Sequence, residues 1–283
     1  MSEVVAGTLY LVPTPIGNLA DMTHRAEDIL RDVDIVACED TRHTRILLDY
    51  LGLSKKVVSY HEHNKETAGP KLIEALREGA SVAQVSDAGM PVISDPGADL
   101  VRLAITENIP IVPLPGPNAA LTALIASGLP ATQFVFVGFL PRTNARRKEL
   151  LDAVRGIPFT LIFYEAPHRL KETIKSLWES LGDRRAVTGR ELTKKFETFS
   201  RARLSDLLQE IQETDPRGEY VLVVEGKTEE KEAEEAETDW REEAENLAKT
   251  VSIKEAARQV AIKRNLSRRE VYQYLLQSVT DKK

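Results

Sequence analysis

Five short loops hold most of the residues whose types can do chemistry. They are PTPIGN at 13–18, EDTRH at 39–43, HEHN at 61–64, SDAGMP at 86–91 and PGPN at 115–118, each following a short run of aliphatic or β-branched residues. Glycine and proline in such turns present main-chain N–H and C=O groups with no side chain in the way, a lining that suits a nucleoside and an amino-acid moiety. Any one of these loops is an ordinary sharp turn, because glycine and proline punctuate every α/β protein. Five of them at successive strand ends read better as the rim of one cleft.

The groups able to exchange a proton there are Glu39, Asp40, His61, Glu62 and His63. A hydroxyl is a poor nucleophile while protonated, so a nearby acid or imidazole would help remove its proton during attack. If the chain is extended at 61–63, His61 and His63 share one side and Glu62 takes the other. Two histidines two apart make half a zinc site, and no cysteine or third histidine stands at a ligand spacing, so no metal is expected. Histidines simply hydrogen-bonded at a strand end are the plainer alternative. Arg42 follows two acids at a helix start and reads either as their ion-pair partner or as a bidentate phosphate ligand. Arg190 and Glu191 present the same choice. Dinucleotide binding is disfavoured, because no Gly-x-Gly-x-x-Gly follows the first strand and Pro13 and Pro15 remove amides a phosphate would need. Gly226-Lys-Thr resembles the end of a phosphate loop, but the position of its earlier glycine holds Val221, inside a strand pattern.

For these loops to meet, the segments between them must build one sheet. Strands are predicted at Leu9 to Val12, Ile35 to Cys38, Val57 to Tyr60, Ser81 to Val85 and Ile111 to Leu114. Helical apolar spacing lies between them at Arg25 to Val33, Arg42 to Leu51, Ala68 to Arg77 and Ala98 to Thr106. This alternation implies crossover connections and a mostly parallel sheet covered on both faces. A small-residue helix follows over Pro117 to Ser127. Strand patterns then recur at Phe134 to Leu140, Thr160 to Tyr164, Ala186 to Arg190, Glu197 to Arg201 and Tyr220 to Val224, spaced closely enough to imply a mixed sheet with antiparallel pairs. The expected divisions are an N-terminal α/β domain at 1–116, a second α/β domain at 117–226, an acidic linker at 227–239 and a basic helical domain at 240–283. In the last, Ser252 to Glu255 and Ser267 to Glu270 match the capping-box spacing and predict two helices joined near Asn265 in a helix-turn-helix-like unit.

Composition bounds the partners. The 283 residues include 42% hydrophobic ones, enough for a substantial core. No apolar run approaches the roughly 20 residues that span a bilayer and no leader pattern opens the chain, so a soluble cytoplasmic protein without membrane contact is expected. The lone Cys38 sits in an apolar strand and reads as a core residue. The net charge of −6 conceals a separation, because residues 227–245 carry three basic and ten acidic side chains whereas 246–283 carry nine basic and three acidic. A cationic tail points to nucleic acid, with Lys254, Arg258, Lys263, Arg264, Arg268 and Arg269 as contacts, joined by the run Arg146, Arg147 and Lys148. A solvated helix face is the ordinary reading of such a run.

Together the strings LYLVPTPIGNL, EDTRHT, SYHEHN, VSDAGMPVISDPG, PLPGPNA, FYEAPHRL, RELTK and GEYVLVVEG, spread over residues 8–226, resemble the tetrapyrrole methylase family and, within it, the branch of ribosomal RNA small subunit methyltransferases I. The resemblance implies a two-domain methyltransferase, working as a homodimer, with S-adenosyl-L-methionine folded between the domains. It implies methylation of a cytidine 2′-hydroxyl in the decoding region of small-subunit ribosomal RNA, free or in the 30S subunit. By matching motifs it places cofactor contacts at Pro15, Gly17, Asp87, Gly89, Met90, Asn118, Ala119, Tyr164, Leu192 and Tyr220, many through the backbone. Glu39, Asp40, Arg42, His61 and His63 are then the candidate catalytic group. Family members acting on tetrapyrroles typically carry a Gly-x-Gly-Pro-Gly first loop where this chain has PTPIGN, which disfavours a tetrapyrrole-precursor substrate. A non-enzymatic nucleic-acid-binding adaptor built on the tail is the other alternative, and it leaves the cleft without a purpose.

Overall fold

The structure, a computed structural model, describes residues 4–94, 97–212, 214–228, 240–249, 251–264 and 266–280. Two compact units result, one from Met1–Arg155 with Phe159–Glu225 and the other from Gly156–Pro158 with Gly226–Lys283. Among the described residues no helix is long and apolar enough to cross a membrane.

The first unit contains two sheets. The first joins β1 (Leu9–Val12), β2 (Ile35–Cys38), β3 (Lys56–Ser59), β4 (Val82–Val85) and β5 (Ile111–Pro113) in the order β3-β2-β4-β1-β5, every pair parallel. Helices α1 (His24–Asp32), α2 (Thr41–Tyr50), α3 (Lys65–Arg77) and α4 (Ala98–Thr106) make the crossovers. Side chains alternate between two cores because successive strand residues face opposite ways. Tyr10, Val12, Val36, Cys38, Ala83 and Val85 pack with Ile29 and Leu30 of α1, while Leu9, Ile35, Ala37 and Val82 pack with α3 and α4 through Leu72, Leu76, Leu100 and Ala104. A parallel sheet puts all its carboxyl ends on one edge, and so gathers the five loops there.

The second sheet joins β6 (Phe134–Phe139), β7 (Thr160–Glu165), β8 (Arg185–Arg190), β9 (Thr198–Arg203) and β10 (Tyr220–Val224) in the order β6-β7-β10-β8-β9. Only β6 and β7 run parallel; β10 is antiparallel to both neighbours and β9 to β8. Helix α5 (Ala119–Ser127), capped by the Asn118 side chain on the Leu121 amide, packs Ala120, Ala123 and Leu124 against Ile162, Val187, Val221 and Val223. Ile16, from the loop after β1, is buried in that same cluster, which ties the first sheet's rim to the second sheet's core. Burying such a side chain contributes about 1.5–3 kcal/mol. Helices α6 (Asn144–Val154), α7 (Leu170–Leu181) and α8 (Leu204–Gln212) complete this half, with α7 in contact with both others. Strand periodicity alone does not include α7 and α8.

Among its described residues, the second unit holds three helices: α9 at 240–248, α10 (Ile253–Arg264) and α11 (Arg268–Thr280). Trp240 and Ala244 join Ala256, Ala257, Val260, Val271 and Leu275 in its core, so α9 supplies a third wall to the two helices read from the sequence. The Ser252 hydroxyl accepts the Glu255 amide at 3.3 Å, the first half of a capping box. Residues 229–239 of the acidic linker lie outside the described residues.

Arg184, 1% exposed, donates to the carbonyl oxygens of Leu181 at 2.9 Å, Glu225 at 3.2 Å and Arg155 at 2.6 Å. Replacing it with methionine removes these donors from buried carbonyls, each worth about 1–3 kcal/mol when left unpaired. Arg184→Met is expected to lower the unfolding free energy by about 3 kcal/mol or more in urea titrations, and a change below about 1 kcal/mol would refute this bracing role.

Candidate active site

The rim is built around a two-bond backbone bridge. The Thr14 amide donates to the Gly89 carbonyl at 2.9 Å, and the Gly89 amide donates back to Thr14 at 3.0 Å. The Thr14 hydroxyl donates to Ser86 O at 3.0 Å, so three hydrogen bonds lock the loops after β1 and β4 together, and the Ser86 hydroxyl donates to Gly89 O at 2.9 Å within the second loop. Gly89 has φ +82°, and a Cβ there would stand 3.2 Å from Ile16 Cγ2. The turn needs glycine for conformation and for space.

From the other side comes the loop after β8. Glu191 and Thr193 adopt left-handed φ of 51° and 65°, costly for a β-branched residue. They are held there by neighbours: the Glu191 carboxylate accepts the Glu219 amide at 3.0 Å and the Lys194 ammonium at 3.0 Å, and Lys194 also reaches Glu219 at 2.9 Å. Burial works against the Lys194 charge, but Glu219 and Glu191 outweigh it and hold the ammonium above its usual range. Glu191 is likewise held below the ordinary carboxylate range despite burial. This loop meets Gly17 closely: a Cβ there would overlap Lys194 Cγ and come within 2.9 Å of Leu192 O.

Between these loops lies a cavity of about 340 Å³, within the usual size for small-molecule sites. Seven of the ten cofactor positions named from the sequence line it: Gly89, Met90, Asn118, Ala119, Tyr164, Leu192 and Tyr220. Ile16, Ile93, Phe139 and Val221 add apolar wall, while Ser94, Glu165 and Glu219 add polar groups. The Tyr164 hydroxyl accepts the Ala120 amide at 3.1 Å and its ring meets Phe136 and Phe139 edge-on, fixing the floor; burial raises the phenol above its ordinary range. A mainly apolar chamber with a few convergent polar groups and a glycine-lined wall fits a nucleoside with an amino-acid arm.

The other three, Pro15, Gly17 and Asp87, line an adjoining hollow of about 280 Å³ that shares Ile16, Ala88 and Glu219 with the cavity. His43, which the sequence reading passed over, also lines this hollow, its Nδ1 3.7 Å from Asp87 Oδ2. Its only sequence signal is membership of the EDTRH string at 39–43, and the placement of α2 beside the loop after β4 brings it to the rim. A third hollow gathers all five candidate catalytic residues, Glu39, Asp40, Arg42, His61 and His63, with Asp87 as the residue shared with the second.

Three expectations change. Residues 61–64 are a turn rather than extended chain, because the Asn64 side chain accepts the His61 amide at 2.8 Å and donates to Ser59 O at 2.9 Å. Glu62 therefore borders the same hollow as His61 and His63, with its carboxylate 2.7 Å from Lys65. Asp40 is no poised base, because Arg42 grips it through Nε at 3.1 Å and Nη2 at 2.7 Å and holds the carboxyl far below the ordinary range. Arg147 is no surface cation: its side chain is 7% exposed and donates to Asn144 and Glu172, each at 2.5 Å. Arg146 and Lys148 beside it are exposed, as are Lys254, Arg258, Arg268 and Arg269, with Arg258 paired to Glu255 at 2.7 Å. The side chains of Lys263 and Arg264 lie outside the described ones.

Comparison with known proteins converges on one family. The model of tetrapyrrole (corrin/porphyrin) methylases matches residues 8–208. A ribosomal RNA small subunit methyltransferase I of Bacillus subtilis (strain 168) is 50% identical over 272 residues, covering 94% of this chain and 93% of that one. Its namesake from Halalkalibacterium halodurans is 48% identical over 270 residues, with the same coverage of 94% and 93%. Among solved structures, uroporphyrin-III C-methyl transferase from Thermus thermophilus complexed with S-adenyl homocysteine is similar with TM-score 0.56 and 20% identity, covering 77% of this chain and 97% of that one.

Gly17→Ala tests the closeness of the two loops. Pushing Leu192 and Lys194 away from the first loop is expected to weaken S-adenosylhomocysteine binding by about tenfold, about 1.4 kcal/mol, in calorimetric titration. Unchanged affinity would show that this close approach does not shape the cavity.

Proposed function

The chain belongs to the tetrapyrrole methylase family, and from that premise we propose that it transfers a methyl group from S-adenosylmethionine to a cytidine 2′-hydroxyl of small-subunit ribosomal RNA near the decoding centre. The observation that carries this reading is the sequence of spaces at the rim: a cavity fit for the donor, sharing a wall with an open hollow that a large acceptor can reach. The Bacillus subtilis and Halalkalibacterium halodurans relatives are known as ribosomal RNA methyltransferases, which points to RNA as the acceptor. The same reading takes the working unit as a cytoplasmic homodimer acting on the RNA or the 30S subunit.

The donor's sulfonium supplies an electrophilic methyl carbon. The protein's task is then placement, holding a hydroxyl oxygen about 3 Å from that carbon on the side away from sulfur. Ile16, Phe139, Leu192 and Val221 give the cavity apolar walls, and the Thr14–Gly89 bridge fixes the wall shared with the hollow from which the acceptor approaches. Removal of the hydroxyl proton falls to the third hollow, where Glu39, His61 and His63 remain as candidates once Asp40 is engaged by Arg42. Among the described residues, His61 Nδ1 is buried without a hydrogen-bond partner, which favours the imidazole as a group awaiting one.

The exposed cations of the C-terminal unit, Lys254, Arg268 and Arg269, suit an RNA backbone. Removing residues 240–283 is expected to flatten the dependence of RNA binding on salt, by roughly 0.7–0.9 in log–log slope for each phosphate that the shortened protein no longer neutralises, with S-adenosylmethionine affinity unchanged. Equal slopes for both proteins would refute a role for the tail.

Methyl-labelled S-adenosylmethionine offered with undermethylated small subunits tests the reaction itself. Because a 2′-O-methyl group blocks alkaline cleavage at that ribose, label is expected in an alkali-stable dinucleotide that begins with cytidine. Label in alkali-labile mononucleotides, or transfer only to a porphyrin precursor, would contradict the proposal.

A further inference from the structure

The hollow beside the donor cavity has features that a methyl donor does not need. Its apolar rim is left in water, with Leu19 41% and Ile46 66% exposed. Its polar groups converge from two directions, Asp87 from the loop after β4 with His43 from the first turn of α2, and Lys194 from the loop after β8. Exposed aliphatic side chains sharing a hollow with hydrogen-bonding groups suit a flat ring that stacks on one face and is read along its edge, the arrangement by which unstacked RNA bases are bound.

The polarity of the edge-reading groups is specific. Asp87 Oδ1 already accepts the Asp40 amide at 3.2 Å, whereas Oδ2 lies 3.7 Å from His43 Nδ1, beyond a hydrogen bond. An ionised carboxylate oxygen only accepts, so it pairs with an amine and opposes a carbonyl. Lys194 directs two of its three donors to Glu191 and Glu219, which leaves one to offer a ring acceptor. An acceptor and a donor that line one hollow match the edge of cytosine, whose N4 amine adjoins acceptor positions. The same edge of uracil would set its O4 against Oδ2.

We propose that this hollow seats the base of the acceptor nucleotide and selects a pyrimidine carrying an exocyclic amine, with Asp87 as the residue that reads the amine and Leu19 and Ile46 as the stacking wall. This rests on the RNA reading above and adds to it the seat of the base and its means of selection. The position is consistent with transfer: the seat shares Ile16, Ala88 and Glu219 with the donor cavity and Asp87 with the histidine hollow. A ribose on a base held there stands between donor and proton acceptor. Asp87, placed among the cofactor contacts by resemblance, thereby takes a different role.

Asp87→Asn is a discriminating change, because its amide oxygen can still accept the Asp40 amide while its NH2 replaces Oδ2 with a donor. The substrates are small subunits reconstituted from transcripts with cytidine or uridine at the position that the wild-type protein modifies. Wild-type protein is expected to favour cytidine by about tenfold or more in kcat/KM, and Asp87→Asn to erase or invert that ratio while S-adenosylhomocysteine binds within about twofold of wild type. Ile46→Ser, at an exposed rim position that the fold tolerates, is expected to raise KM for the subunit several-fold and leave the cytidine preference intact. The inference is overturned if Asp87→Asn keeps the wild-type preference, or if it weakens S-adenosylhomocysteine in step with turnover, which would return Asp87 to the donor site. Absence of methyl transfer to any subunit by wild-type protein would instead sink the RNA reading, and the base seat with it.

Discussion

The Thr14–Gly89 bridge is the constraint on which the site depends. Without it, the loops after β1 and β4 would be neighbours only because their strands are, free to splay beyond the sheet edge. Two reciprocal backbone bonds and the Thr14 hydroxyl fix them instead, and the Ser86 hydroxyl braces the second loop from within. The consequences run in two directions. Ile16, two residues beyond Thr14, is delivered into the core under α5, which couples the two sheets. Asp87, two residues before Gly89, is held on the opposite side of that wall, where it separates the two outer hollows. One short bridge thus sets a wall of the cavity and the face turned toward the two outer hollows.

The opposing loop shows the same logic with strain added. Glu191 and Thr193 occupy backbone conformations that their side chains disfavour, and the Glu191–Lys194–Glu219 network, together with the close approach of Gly17, offsets that cost. Strain tolerated at this point places Leu192 in the cavity wall and the Lys194 ammonium on the hollow. Positioning is what a methyl transfer demands of a protein, and rigid loops braced from two sheets provide it.

How much of this was legible in the sequence follows from the range of the interactions concerned. The strands of the first sheet could be read because burial on both faces leaves uninterrupted aliphatic runs, as in Ile35 to Cys38, and the mixed sheet because β8 and β9 are joined by too few residues for a crossover. The loop chemistry was visible in glycine, proline and carboxylate spacing, and most positions assigned to the donor do share one cavity. What escaped depended on partners distant in sequence or on side-chain geometry. Arg147 sits in a run of cations and looks solvated, yet Glu172 on a later helix draws it inward. His61 and His63 look extended, yet one Asn64 side chain closes a turn. Nothing local announces that Ile16 leaves its own lobe, and His43 becomes a rim residue only when α2 is placed beside the loop after β4.

The most direct test of the account is a crystal structure with S-adenosylhomocysteine bound. The ligand is expected in the cavity bounded by Gly89, Asn118, Tyr164 and Leu192, with its sulfur turned toward the Ile16–Ala88 wall and the Asp87 hollow beyond. A ligand outside that cavity, or a sulfur facing away from that hollow, would contradict the placement on which the proposed transfer relies.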